Sequence, residues 1–185
     1  MARSRPSWVL LRAESPRTIT HRKYLEDVEA EIHAFNHSAY LLQEKLGVIL
    51  LQIASGTPYD LERLRSAMLA FEDPRNVVVE FRRKFWITQE TMDLLKELGV
   101  TFCDADSPKC NLVGWITSDQ VYLRLHGRKR WYSYDYTIEE LHEIAILMKE
   151  AVTKGVKRVY VFFNNDFEGY APKNAITLLE ILEDS

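Results

Sequence analysis

Six short β-prone runs, each followed by a longer amphipathic or polar segment, constrain this chain more than any other feature. They are WVLLRA (8–13), GVILLQI (47–53), VVVEFRR (77–83), VTFCDAD (100–106), VYLRLHG (121–127) and VYVFFNN (159–165). Strands that recur with helices between them imply parallel pairing, because a parallel crossover needs about a dozen residues or more. Helices are predicted over 22–44, from Asp60, from Thr88, from Thr137 and around Pro172. Thr137-Ile138-Glu139-Glu140 fits a capping box, in which a hydroxyl and a carboxylate satisfy free helix-end amides. Pro172 falls in a first turn, where its missing N–H costs nothing. A long loop is expected after VTFCDAD. No linker or low-complexity tract interrupts the pattern, so a single α/β domain over 1–185 is expected.

Alternation inside the strands locates the polar groups. Side chains two apart share a face, so Val78, Glu80 and Arg82 oppose Val77, Val79 and Phe81. Tyr122, Arg124 and His126 oppose Val121, Leu123 and Leu125, and Tyr160, Phe162 and Asn164 oppose Val159, Val161 and Phe163. Gln52 follows Val48 and Leu50, Asp104 follows Phe102, and Arg12 follows Trp8 and Leu10. One face of each strand is apolar, as helix packing requires, and the other turns polar toward its C-terminal end. Charges on strand after strand fit the interior of a barrel better than an open sheet with helices on both faces. Parallel α/β folds of either kind place ligands at the carboxyl ends of their strands.

Composition removes several function classes. A net charge of −3 over 185 residues argues against a coat for nucleic acid. No apolar run approaches the ~18 residues of a membrane span, and the apolar run before Arg12 is too short for a signal peptide. A cytoplasmic location is expected. Cys103 and Cys110 are too few for a disulfide framework or a four-cysteine zinc site, and both are read as reduced thiols.

TITH (18–21), LGVILLQI (46–53), VEFRRKFW (79–86), YLRLHG (122–127) and FNNDFEGYAPKNA (163–175) resemble, in that order, the family called domain of unknown function 72, or YecE-like. The resemblance covers almost the whole chain. It implies a TIM-barrel-like (β/α) fold and no established activity. It also implies that the chain starts near the family's third strand, leaving about six strand–helix units of the eight in a closed barrel. LGVILLQIASG lacks the Pro-Pro that often follows this strand in relatives. Two open strand edges are expected in such a chain, with self-association through them and residues 1–7 as one cover for the opening.

The resemblance and the strand-end positions single out nearly one set: Arg12, His21, Gln52, Glu80, Arg82, Asp104, Arg124, His126, Asn164 and Asn165. Arginine forks suit phosphate or carboxylate, so Arg82 and Arg124 are read as anion-binding groups, with Arg12, His21, Gln52, Asn164 and Asn165 as further substrate contacts. Glu80, His126 and Asp104 are the candidate catalytic groups, because carboxylates and imidazoles can be tuned toward neutral pH. Glu80, Arg82, Arg124, His126 and Asn164 are expected to converge on one cavity, with Asn165 bonding turn backbone instead. The plainer reading is that Glu80, Arg82, Asp104 and Arg124 neutralise one another. A divalent metal on Glu80, Asp104, His126 and His21 is the sharper alternative. His33, His37 and His142 lie in helical segments and are read as surface or packing residues.

HGRKRWYSYDY (126–136) interleaves Arg128, Lys129 and Arg130 with Trp131, Tyr132, Tyr134 and Tyr136. Such a loop either holds phosphates and stacks bases or packs its rings on the rim of the fold. Acidic helices elsewhere disfavour an extended nucleic acid. Two functions therefore stand: an enzyme, a hydrolase among the options, acting on a small polar or phosphate-bearing molecule, and a non-catalytic binding module for nucleic acid or a partner protein.

Overall fold

The computed structural model describes residues 10–184, which divide into two compact units at Val100/Thr101. Trp8, expected at the head of the first strand, lies outside the described residues, as does any cover formed by residues 1–7.

The first unit holds β1 (Leu11–Glu14), β2 (Leu46–Ile53) and β3 (Val77–Phe81), paired in parallel in that order. The expected 22–44 helix is broken: a tight turn at Thr18–Arg22, α1 (Glu29–Ala39) and a 3-10 segment at Tyr40–Lys45. Positive φ at Tyr24, Leu25 and Asp27 separates the first two pieces, an interruption that apolar periodicity alone does not encode. Between β2 and β3 lies α2 (Leu61–Leu69), and α3 (Gln89–Leu98) follows β3. Asp60 caps α2 by accepting from the Arg63 N–H at 3.0 Å, and Thr88 caps α3 through the Thr91 N–H at 3.2 Å; each such cap is worth about 1 kcal/mol. Registers of Leu50 with Val78 and Gln52 with Glu80 place those four side chains on one face. Ile49, Leu51, Val79 and Phe81 take the other, and all four are buried.

The second unit holds β4 (Thr101–Asp106), β5 (Gln120–Leu125) and β6 (Arg158–Phe163), again parallel and in chain order. A loop over 107–119 connects β4 to β5, whereas α4 (Ile138–Thr153) connects β5 to β6 and α5 (Tyr170–Glu183) follows. The capping box of α4 is present in both directions: Thr137 Oγ1 accepts from the Glu140 N–H, and Glu140 accepts from the Thr137 N–H. Val121, Leu123 and Leu125 pack with Leu141, Ile144 and Ala145, so this face of β5 lies under α4. Tyr122 and Arg124 occupy the opposite face, beside Tyr160 and Phe162 of β6.

Six parallel strands alternating with helices make an incomplete α/β fold of the TIM-barrel type, about six strand–helix units of eight. Among the described residues of their units β1 pairs with β2 alone and β6 with β5 alone. Among the described residues no helix is long and apolar enough to cross a membrane.

Candidate functional site

In each unit the parallel strands point their carboxyl ends the same way, and polar groups gather there. In the first unit Glu80 is 6% exposed on β3. Its Oε1 accepts from Gln52 Nε2 at 2.9 Å, and the Arg82 guanidinium donates in turn to Gln52 Oε1. Gln52 thus bridges a buried carboxylate to an exposed cation. His21 stands half-buried after β1, with Nδ1 2.7 Å from the Thr20 hydroxyl. Burial depresses its pKa first, and the cations of Arg17 and Arg82 depress it further. Arg12 sits 3.6 Å from Glu14. Arg82 and Arg17 give the surroundings of His21 a positive potential, with buried Glu80 bonded to Gln52.

In the second unit His126 follows β5 directly and is 5% exposed. The rings of Trp131 and Tyr132 lie 5.5 and 5.7 Å from its imidazole. Arg124 is half-buried beside Phe162. Asn164 is half-buried, its backbone N–H donates to Leu125 O at 2.8 Å and its amide to Phe162 O at 3.2 Å. Asn165 is fully buried. Its amide donates to Tyr134 O and to Asn174 Oδ1, both at 2.7 Å. It therefore ties the 126–136 loop to α5. Asn165→Ala is expected to cost about 2 kcal/mol, since it strands buried partners, and urea unfolding would measure it.

Asp104 does not join Arg124 and His126. Its register partner is Leu123, on the face under α4, whereas Ala105 pairs with Arg124. Both oxygens are engaged by the loop that follows β4: Val113 N–H reaches Oδ1 at 3.1 Å and Oδ2 at 2.9 Å, and Gly114 N–H donates to Oδ2 at 2.7 Å. Burial raises its pKa to about 6, against the lowering effect of those two N–H groups. The carboxylate clamps a loop. Among the described residues no three His, Cys, Asp or Glu side chains form a metal-holding group, such as the expected set of Glu80, Asp104, His126 and His21 would be. Of the helical histidines, His142 bonds Ile138 O within α4 at 2.8 Å.

One functional-looking network escaped the sequence reading. Arg128 turns inward, donating to buried Asp106 at 3.0 Å and to Glu143 at 2.8 Å, with Glu140 at 3.5 Å. Burial pushes the Asp106 carboxyl up, and its bond to Arg128 opposes that. Beside it the Tyr134 hydroxyl donates to Glu140 at 2.7 Å, and burial, then that bond, push its pKa up to about 12. Only the RKR run signalled Arg128, and its acidic partners are too far along the chain for spacing to reveal.

The family model described as "Protein of unknown function DUF72" matches residues 11–185. The chain belongs to the DUF72 family. A DUF72 family protein from Thermotoga maritima has a crystal structure that is similar at a TM-score of 0.85 and 28% identity, over 94% of this chain and 74% of that one. Another, from Enterococcus faecalis, matches at a TM-score of 0.75 and 22% identity, over 85% of this chain and 67% of that one; at that identity the likeness concerns the fold. No curated protein matches. DUF72 membership accounts for the ordered motifs from TITH to FNNDFEGYAPKNA, and it assigns no activity.

Proposed function

We propose that this DUF72 protein is an enzyme acting on a small anionic, phosphate-bearing molecule bound at the carboxyl ends of its strands. The observation that carries the reading is the Arg82–Gln52–Glu80 chain of hydrogen bonds in the first unit. An exposed guanidinium, fixed by an amide, suits a phosphate oxygen better than a freely rotating one, because less rotamer freedom is lost on binding. Arg17 adds positive potential around His21, whose imidazole is held toward its neutral form. Glu80 lies one amide away from the anion-binding fork, where a carboxylate can take a proton from a nucleophile or deliver one to a leaving group.

Thermal shift with inorganic phosphate, pyrophosphate and sugar phosphates tests the binding half. Arg82→Ala is expected to weaken the best of these by about tenfold, the loss of one charge-assisted fork. Glu80→Gln is expected to leave that binding within about threefold, a difference under 1 kcal/mol, and to abolish any turnover the wild type shows. Undiminished stabilisation in Arg82→Ala would sink the proposal. Stabilisation by every polyanion alike, erased by salt, would favour a non-catalytic binding module.

A further inference from the structure

The 126–136 loop is held in place by several hydrogen bonds and ion pairs, yet it presents rings and cations to solvent. His126 N–H donates to Asp106 O at 2.8 Å, Tyr132 N–H to His126 O at 2.8 Å, and Phe167 N–H to Tyr132 O at 3.2 Å. Gly127 N–H donates to the buried Tyr136 hydroxyl at 3.0 Å. Arg128 is anchored to Asp106, Asp135 is anchored by Lys173 at 2.7 Å, and Tyr136 N–H donates to Asn174. Between these anchors Trp131 is 42% exposed and Tyr132 52% exposed. Their ring centroids are 5.8 Å apart. Tyr132 holds φ +61, a conformation that L residues avoid and that its two backbone bonds enforce. Lys129 and Arg130 are exposed and make no ion pair among the described residues.

The pair packs on buried His126 from one side, yet its exposed half costs solvation and the Tyr132 backbone is strained. Those costs make sense where a planar partner covers the rings. The neighbouring charges say which planar partner. Lys129 and Arg130 border an open cleft of about 560 Å³ that Tyr134, Phe167 and Tyr170 also line, a size that accommodates a small ligand; Trp131 and Tyr132 follow these cations directly in the loop and stand outside the cleft lining. Its acids are partly spent: Asp135 is paired with Lys173, and Glu168 accepts from the Tyr170 hydroxyl at 2.8 Å. They still set a limit, because a phosphate chain continuing along the cleft would meet Asp135 and Glu168 after the first cations.

We propose that this loop is a binding site for a free nucleotide, its base stacked on Trp131 and Tyr132 and its phosphate held by Lys129 and Arg130. Base stacking on aromatic rings tolerates any base, since each has a π-face, so the site selects a nucleotide as a class. The inference does not rest on the Arg82 reading, which concerns residues of the other unit.

Isothermal titration of the full chain with AMP and ADP is the test. Binding is expected to weaken by about tenfold or more in Trp131→Ala, the usual scale for losing one stacked base, and by a similar factor in the double variant Lys129→Ala/Arg130→Ala. Trp131→Phe should restore most of the affinity, and unchanged melting curves would show that these surface variants fold. Ribose 5-phosphate and inorganic phosphate, which lack a base, should bind at least about tenfold more weakly than AMP. Equal binding of ribose 5-phosphate, or full AMP affinity in Trp131→Ala, would overturn the site. So would AMP binding that is lost in Arg82→Ala and kept in Trp131→Ala, which assigns the nucleotide to the first unit. An oligothymidylate binding far more tightly than TMP would overturn the choice of a free nucleotide in favour of a single strand.

Discussion

Gly127→Ala is expected to destabilise the protein by about 3 kcal/mol or more, lowering its melting temperature by roughly 6–12 °C for a chain of this size. Gly127 holds φ +101, where an L side chain is strained. Strain is the smaller part. A Cβ at this position would lie 2.4 Å from Arg130 O and 2.5 Å from Tyr134 Cβ. Neither obstacle is the loose end of a flexible side chain. Tyr134 is fixed by its hydroxyl on Glu140 and by Asn165 on its carbonyl. The Arg130 carbonyl belongs to the turn that closes between His126 O and Tyr132 N–H. Relief therefore requires moving the whole loop, which breaks the Gly127–Tyr136 bond and disturbs the Arg128–Asp106 pair. Gly114→Ala provides the control. Gly114 has φ +71 with no atom within 4 Å of the added Cβ, so only the backbone cost of about 1 kcal/mol applies. Equal losses in the two variants, measured by urea unfolding, would mean that conformational strain alone decides and that the loop gives way easily. Because His126, Trp131 and Tyr132 all ride on this loop, Gly127→Ala should also weaken nucleotide binding beyond what its lower stability explains.

How far the sequence carried depends on what each residue's partners are. Alternation along β2 and β3 placed Gln52 and Glu80 on one face, since period two leaves no other arrangement once Leu51 and Val79 must be buried. The caps at Asp60, Thr88 and Thr137 were legible because helix-end amides need nearby oxygens, and the partner is always three residues away. The breadth of the six-strand pattern was legible for the same local reason. Asp104 was not. In β4 the face of Cys103 and Ala105 is small and the face of Phe102, Asp104 and Asp106 is mixed, so alternation defines two faces without saying which lies under a helix. What decides it is the 107–119 loop, whose backbone N–H groups supply the partners of a buried carboxylate. Arg128 was hidden differently. Its three acids come from β4 and α4, and a basic run reads as a solvated surface until those elements fold beside it. Asn165 lay on the boundary: its parity pointed it away from Asn164, and its partners, Tyr134 and Asn174, come from other elements.

Stability of this protein should fall as pH rises from about 4 to 7 by a share that belongs to Asp104. Burial raises the Asp104 carboxyl from 3.8 to about 6 in the fold. A raised value means that the folded chain holds the proton more tightly than the unfolded chain does. The stabilisation is then complete below 3.8, falls through the interval, and is gone once the pH passes about 6. The full swing is about 3 kcal/mol, of which about 2 kcal/mol falls between pH 4.5 and 7.5. Other groups bear on it: Asp106 on the same strand raises the Asp104 value by repulsion, and Glu143, Glu150 and Lys154 of the α4 segment line the cavity that it shares. Asp106 is also raised by burial, so its own contribution has the same sign. Asp104→Asn isolates the effect, because an amide does not titrate over this range. The amide oxygen in the Oδ2 position can keep both the Gly114 and the Val113 N–H, while the longer Val113 contact to Oδ1 is lost, a cost that is constant with pH. Urea unfolding of both proteins at several pH values gives two curves whose separation is the Asp104 share. Wild type should lose about 2 kcal/mol relative to the variant between pH 4.5 and 7.5. Parallel curves would show that the carboxylate is as comfortable charged as neutral, the two loop N–H groups having outweighed burial. An opposite slope, with wild type gaining on the variant as pH rises, would make those N–H groups the dominant influence and Asp104 an ordinary charged clamp.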